Sequence, residues 1–357
     1  MMDDDRARAR LTWTRNALGD PQATLERASV DAGFRSYWRS SSCGKSRIVM
    51  DSPPDKEDVR PWLRMRELLE NGGVRVPKVL AQDIDAGFLL LEDLGTQTYL
   101  HVMDAGNADA LFDAAIEQLL KLQAIPCPPE LPSYDEALLN RELRLFDEWF
   151  LGRELGLSLD HGTQESLELV YGRLIDAALA QPRVLVHRDF MPRNLMFVQG
   201  WFVQGSPVQG RPLDGQPTGE GVAVLDFQDA VLGPIAYDPL SLFKDAFLSW
   251  PEERVDRWLN RYHARAYAAG LPVPRLPQFR RDADWIGVQR HLKVLGIFAR
   301  LKHRDGKPKY IADAPRFLAY LDRVLPRYPE LAPLADVLER LVRPSLRASS
   351  SYQSDPA

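Results

Sequence analysis

The chain has 357 residues, 45% hydrophobic and 27% charged, with 45 Lys/Arg against 50 Asp/Glu for a net charge of −5. These proportions are those of a globular protein; they exclude collagen-like, disordered and membrane-embedded classes, and the mild negative balance offers no platform for nucleic acid. Two cysteines, Cys43 and Cys127, are too few for a disulfide framework, and the acidic start Met1-Met2-Asp3-Asp4-Asp5 lacks the basic and apolar regions of a secretory signal, so a soluble cytoplasmic protein without membrane insertion is expected.

At about 150 residues per domain the length suggests two lobes. Residues 24–30, 34–39 and 46–50 read as three short strands, with turns at Asp31-Ala32-Gly33 and Cys43-Gly44-Lys45. The spacing of Val59, Leu63, the Arg66 stem and Leu69 predicts a helix over 55–70, stopped by Asn71-Gly72-Gly73. Strands follow at 74–80 and 88–91, and Glu92-Asp93-Leu94-Gly95 breaks the second. A first lobe of residues 1–94, with a hinge near 92–95, should end there.

Helical spacing then runs over 107–124, 135–155 and 163–180, so residues 95–345 read as a mostly helical second lobe. Apolar strands at 184–186 and 222–225 interrupt it, and each feeds a polar motif. Between them Val198-Gln199-Gly200, Val203-Gln204-Gly205 and Val208-Gln209-Gly210 repeat at five-residue intervals before a Gly/Pro-rich run to Gly221. With so little apolar surface to bury, 198–221 is expected to be a flexible insertion, and 346–357 a disordered tail. The fold class is α+β, a small antiparallel sheet lobe followed by a mostly helical one.

The polar motifs share a chemistry. His187-x-Asp189-x-x-x-x-Asn194, with Asp226 after the next strand, supplies two carboxylates and an amide oxygen. These are hard oxygen donors of the kind Mg²⁺ prefers. Phosphoryl transfer asks for such a set: Asn194 and Asp226 to hold the metal on nucleotide phosphates, and Asp189 to orient the attacking hydroxyl and accept its proton.

The whole pattern resembles the aminoglycoside phosphotransferase-like kinase superfamily, two-lobed relatives of the protein kinases. Val76-Pro77-Lys78-Val79-Leu80, the hinge Leu89-Leu90-Leu91-Glu92-Asp93-Leu94, and Gly233-Pro234-Ile235-Ala236-Tyr237-Asp238 fall where that superfamily has them. The resemblance implies ATP as phosphoryl donor, Mg²⁺, Asp189 as catalytic base, Asn194 and Asp226 as metal ligands, and His187 and Asp238 as braces of the catalytic loop. Within the superfamily, the stretches 31–39, 48–54, His187-Arg188-Asp189, 225–230, 296–301 and 305–308 are similar to the branch that phosphorylates N-acetylmuramate and N-acetylglucosamine at C1 during peptidoglycan recycling. A small amino-sugar partner and a monomer are the corresponding expectations.

Two positions depart from the general kinase pattern. Met50 stands where the third strand normally offers a lysine to the phosphates, and Trp62 replaces its helical glutamate partner. Arg35, beside the Asp31-Ala32-Gly33 turn whose backbone N–H groups would help cradle anions, is the first candidate to neutralise phosphate, with Lys45 second. Asp31, Gly33, Phe34 and Arg35, with the backbone at Glu92 and Leu94 for adenine, thus form the expected nucleotide set. Tyr37 and Trp38 read as half-buried sheet packing rather than base stacking.

For the sugar, Asp229 is placed to meet hydroxyls. From Arg290 to Lys309 seven Lys/Arg accompany one acid, Asp305, a segment suited to a lactyl carboxylate. Arg300 is its preferred partner because a guanidinium grips a carboxylate with two parallel bonds. That basic segment disfavours cationic acceptors such as aminoglycosides or choline. Another small-molecule kinase of the superfamily, and an inactive nucleotide-binding scaffold suggested by Met50, are the competing readings.

Overall fold

Helix α1 (Met2–Leu18) precedes β1 (Glu26–Ser29), β2 (Ser36–Ser42) and β3 (Lys45–Asp51). Then come α2 (Arg60–Asn71), β4 (Val79–Asp83), β5 (Phe88–Glu92), the single turn α3 (Tyr99–Val102) and α4 (Ala108–Gln123). Helix α5 (Glu136–Leu145) runs on into a π-helical stretch, Phe146–Glu154, and is followed by α6 (His161–Leu179) and β6 (Arg183–Val186). A 3₁₀ turn, Pro192–Asn194, leads into β7 (Leu195–Phe197), β8 (Val222–Val224) and β9 (Val231–Pro234). Helices α7 (Tyr237–Phe243), α8 (Glu252–Ala268), α9 (Leu276–His303), α10 (Ala314–Val324), α11 (Ala332–Val337) and α12 (Arg343–Ala348) follow. This computed structural model describes residues 2–29, 34–42, 44–198 and 221–348. Asp31, Gly33, Cys43 and nearly all of the insertion expected over 198–221 lie outside those residues, as does 349–357, whereas α12 extends into the stretch expected to be tail.

The α+β class is the one expected. Strands β1-β2-β3-β5-β4 form an antiparallel sheet, with Arg39 opposite Ile48 and Ile48 opposite Leu91. Alternation along the strands puts Tyr37, Arg39, Ile48, Met50, Leu89 and Leu91 on one face. Helix α2 begins later than its apolar spacing suggests, because Pro61 sits in its first turn, where a missing N–H costs nothing. The strand expected at 74–80 forms instead at 79–83, while Val74 and Val76 stay buried outside it.

Helix α1 was not expected. Its inward face shows arginines where periodicity looks for apolar residues: Arg6 and Arg10 both bind the buried carboxylate of Asp51, Arg10 lies 3.7 Å from the Trp38 ring centre, and Arg6 lies 4.1 Å from that of Phe88.

The contacts divide the chain into two compact units, one of residues 1–125 with 192–229, the other of 126–191 with 230–357. That is not the division at 94–95 read from the sequence. The physical reason lies in hydrogen bonds that knit later segments to the first sheet's surroundings. Arg75 N donates to Gln118 Oε1 on α4, Val224 N to Arg75 O, and Phe197 N to Gln97 O. In the second unit, β6 pairs with β9, and α9 packs on α5, α6 and α10 as the central core helix.

Candidate active site

In the first unit, the face of β2, β3 and β5 just described borders a cavity of about 400 Å³. Tyr37, Arg39, Ile48 and Leu91 line it from the sheet, Trp62 from α2, Leu94 to Thr96 from the segment after β5, and Asn194 and Asp226 from the polar motifs. Trp62 packs against Phe227 with ring centres 5.2 Å apart. A concave, mainly apolar space with a few convergent polar groups is the usual form of a small-molecule site.

The segment after β5 is held by a residue whose part the sequence did not reveal. Asp93 accepts from Arg39 at 2.6 and 3.0 Å, from Ser46 Oγ, and from Gly95 N at 2.9 Å. Burial alone would raise its carboxyl; these donors bring it below the usual carboxylate range. Gly95 takes φ +94°, a conformation that favours glycine. The neighbouring Glu92 carboxylate is bound by Arg75 at 2.5 Å, and that contact outweighs burial to lower it as well.

Asp226 follows β8 in the left-handed region, φ +63°, unusual for a residue with a side chain and a sign of a conformation imposed by its surroundings. Leu225 N donates to Asn194 O at 2.9 Å, which sets the two motifs side by side. The Asp226 carboxylate then accepts from Asn194 Nδ2 at 3.4 Å and Gln228 Nε2 at 2.9 Å. A carboxylate and an amide at this separation suit Mg²⁺, which takes one or two protein oxygens and completes its shell with phosphate and water. Among the described residues no group of three or more His, Cys, Asp and Glu is placed to hold a metal, so an ion here would rely on those further oxygens.

The second unit carries Asp189. Beyond β6 the His187 and Arg188 N–H groups donate to the fully buried carboxylate of Asp238, at 2.7 and 3.0 Å. Arg188 takes φ +75°, so this loop also holds a conformation that side chains rarely adopt. Asp189 N donates to His187 Nδ1 at 3.2 Å. Burial raises Asp238 to about 7 despite its two backbone donors, and the nearby Asp189 charge adds to the rise.

Behind the loop lies a buried cluster that the sequence reading missed. Glu142 accepts from Arg188 at 2.5 Å, Lys293 at 2.9 Å, Gln289 at 3.1 Å and the Tyr134 hydroxyl, while Lys293 also donates to Tyr237 Oη at 3.1 Å. Burial would raise Glu142, but the two cations hold it down at about 2. The available signal was a carboxylate within the apolar stripe Leu139, Leu143, Phe146 of a predicted helix.

Glu92, Leu94, Asn194 and Asp226 thus border one cavity, and His187 and Asp189 share one loop, which the carboxylate of Asp238 on α7 braces. Among the described residues lining the cavity, Arg35, Phe34 and Asp229 do not occur. Arg35 Nε lies 3.2 Å from the Glu57 carboxylate, Phe34 is exposed, and Asp229 accepts from Gln228 at 3.3 Å in the turn after Asp226. Lys45 is exposed on the β2–β3 hairpin. Tyr37 is half-buried on β2, as expected, and also lines the cavity, whereas Trp38 turns to the other face beneath Arg10 and Arg27. Arg300 is half-buried in the last turn of α9, and its Nε has no hydrogen-bond partner. Burial, with Arg304 beside it, loosens its hold on its proton.

The family model of the phosphotransferase enzyme family matches residues 24–205 and 215–277. The N-acetylmuramate/N-acetylglucosamine kinase of Pseudomonas putida is 52% identical over 328 residues, 91% of each chain. The kinase of the same name from Pseudomonas aeruginosa is 47% identical over 352 residues, 96% of this chain and 98% of its own. Among solved structures, choline kinase LicA from Streptococcus pneumoniae aligns with a TM-score of 0.59 over 88% of this chain and 98% of that one; at 14% identity the likeness is one of fold. Matched by that model over most of its length, and by such relatives almost end to end, the chain belongs to the phosphotransferase enzyme family.

Proposed function

We propose that this protein is an ATP- and Mg²⁺-dependent kinase that phosphorylates the anomeric C1 hydroxyl of N-acetylmuramate and N-acetylglucosamine in the cytoplasm, giving sugar 1-phosphates for reuse of cell-wall material. The observation that carries the substrate is the end-to-end likeness to two kinases named for these sugars. The cavity beside Asn194 and Asp226 supports a nucleotide, and among the described residues no helix is long and apolar enough to cross a membrane.

Each residue then has a task. Backbone groups from Glu92 to Leu94 read adenine, a job that leaves side-chain identity free. Asn194 and Asp226 hold Mg²⁺, which when bound offsets phosphate charge and fixes its orientation. Asp189 aligns the sugar hydroxyl and takes its proton; an anomeric hydroxyl is more acidic than an ordinary alcohol and asks little of its base. Positioning and charge neutralisation therefore dominate the catalysis. Asp238 and His187 keep the Asp189 backbone in place through the bonds described above. Asp229 meets sugar hydroxyls, and Arg300 receives the lactyl carboxylate that distinguishes N-acetylmuramate.

The test is phosphorus NMR of the purified protein with ATP, Mg²⁺ and N-acetylmuramate, N-acetylglucosamine or kanamycin, followed by mild acid. The expected result is a new phosphate signal with either amino sugar that acid abolishes, and none with kanamycin. An acid-stable phosphomonoester would move the reaction to another hydroxyl, and no turnover with either sugar would overturn the assignment.

A further inference from the structure

A nucleotide in the first unit's cavity brings a phosphate chain to Asn194 and Asp226, and those phosphates carry more charge than one divalent ion offsets. The third-strand wall offers no cation. Met50 is fully buried, Ile48 lies two residues before it on the same face, and the facing Trp62 is stacked on Phe227. Arg35 is engaged with Glu57 and does not occur among the described lining residues.

Among the described residues, the basic side chains that line the cavity are Arg39, His101 and Arg193. Arg39 gives two bonds to the Asp93 carboxylate and a third to Gly95 O at 3.0 Å, so its fork is spent on fixing the segment after β5. His101 turns Nδ1 to Thr98 Oγ1, 2.8 Å away at the start of its own helical turn. Arg193 is set apart by its place. It is exposed on the 3₁₀ turn Pro192–Asn194, one residue before Asn194, and that turn packs against α3. The Leu225 N to Asn194 O bond ties the turn's backbone to the strand that leads into Asp226. A guanidinium keeps its charge at any working pH, and its planar fork matches two phosphate oxygens.

We propose that Arg193 binds the phosphate chain of the nucleotide in this cavity, doing from the catalytic-loop side what a third-strand lysine does elsewhere. This rests on the nucleotide reading made above. The ligand class is a nucleoside di- or triphosphate, recognised at its phosphates rather than its base.

Titration calorimetry with the full-length protein and Mg²⁺, without any sugar, tests it using adenosine and ADP as ligands and Arg193→Ala and Arg193→Lys as variants. Losing a charge-assisted contact should weaken ADP about tenfold or more in Arg193→Ala, leave adenosine within about twofold, and spare much of the ADP affinity in Arg193→Lys. Equal loss for adenosine and ADP would make the arginine a support for cavity shape, and unchanged ADP affinity would make it a bystander; either result overturns the proposal while the nucleotide reading stands. Failure of the unaltered protein to bind ADP would overturn both together.

Discussion

Asp189 and Glu142 show how differently two carboxylates in one unit can act. With Asp189 as base, Asp189→Asn should lower kcat by about 10²- to 10⁴-fold and leave ADP affinity close to its original value, because the amide keeps the shape and loses only the proton acceptor. Parallel rate and calorimetric measurements check this, and an unchanged rate would remove Asp189 from the mechanism. Glu142 has its effect through charge balance instead. Glu142→Gln leaves Arg188 and Lys293 buried without their anion, a change that costs about 3–5 kcal/mol. The folded-state value of Glu142, about 2, lies below its ordinary 4.5, so its contribution is complete above pH 4.5 and disappears as pH falls toward 2. Urea unfolding of both proteins should show the stability gap at neutral pH narrowing across that window, and a gap that stays constant would refute the charge argument. Asp189 and Asn194 were readable as candidates because they lie five residues apart after one apolar strand, and Asp226 because it ends the next. Glu142, Arg188 and Lys293 were not, because they come from α5, the catalytic loop and α9, and only packing brings them together.

At the scale of elements, apolar periodicity served well where a helix buries an apolar stripe, as in α4 and α6, and failed for α1, which is held by arginines on Asp51 and on aromatic rings. The central helix α9 shows a second limit. On propensity alone, alanine at Gly296 would gain about 1 kcal/mol. The packing around it reverses the sign. A Cβ at Gly296 would run into the backbone carbonyl and Cβ of Leu145, where α5 passes into its π-helical stretch, and a carbonyl in a helix cannot move aside as a flexible side chain would. Overpacking of this kind costs about 1–3 kcal/mol or more, so Gly296→Ala should be net destabilising. Thermal unfolding decides it: a lowered midpoint is expected, and a raised one would mean that α9 and α5 can separate at little cost.

Across the whole molecule the α+β class followed from strand-like segments giving way to helical ones, but the division between units did not, because it depends on hydrogen bonds from residues 192–229 back to the surroundings of the first sheet. Charge behaves in the same way. Residues 271–357 hold 16 Lys/Arg against 9 Asp/Glu in a chain that is net negative, and the segment from Arg290 to Lys309 reads as a broad basic patch. In the folded protein much of that charge is answered internally: Lys293 by Glu142, Lys302 and His303 by Glu154, and Arg304 by Asp305. Arg300, whose Nε has no hydrogen-bond partner, is the cation proposed above to meet the lactyl carboxylate. A chain of net charge −5 gives an anionic sugar no general attraction, so any advantage for N-acetylmuramate must be local and open to screening; at 0.1 M salt the screening length is about 10 Å. Raising salt from about 0.05 to about 0.5 M should therefore lower kcat/KM for N-acetylmuramate several-fold while the value for uncharged N-acetylglucosamine hardly moves. Arg300→Gln should erase that difference, with the N-acetylmuramate KM rising and the N-acetylglucosamine KM unchanged. If both sugars respond alike to salt, or if the variant weakens both equally, the lactyl carboxylate is recognised by another group.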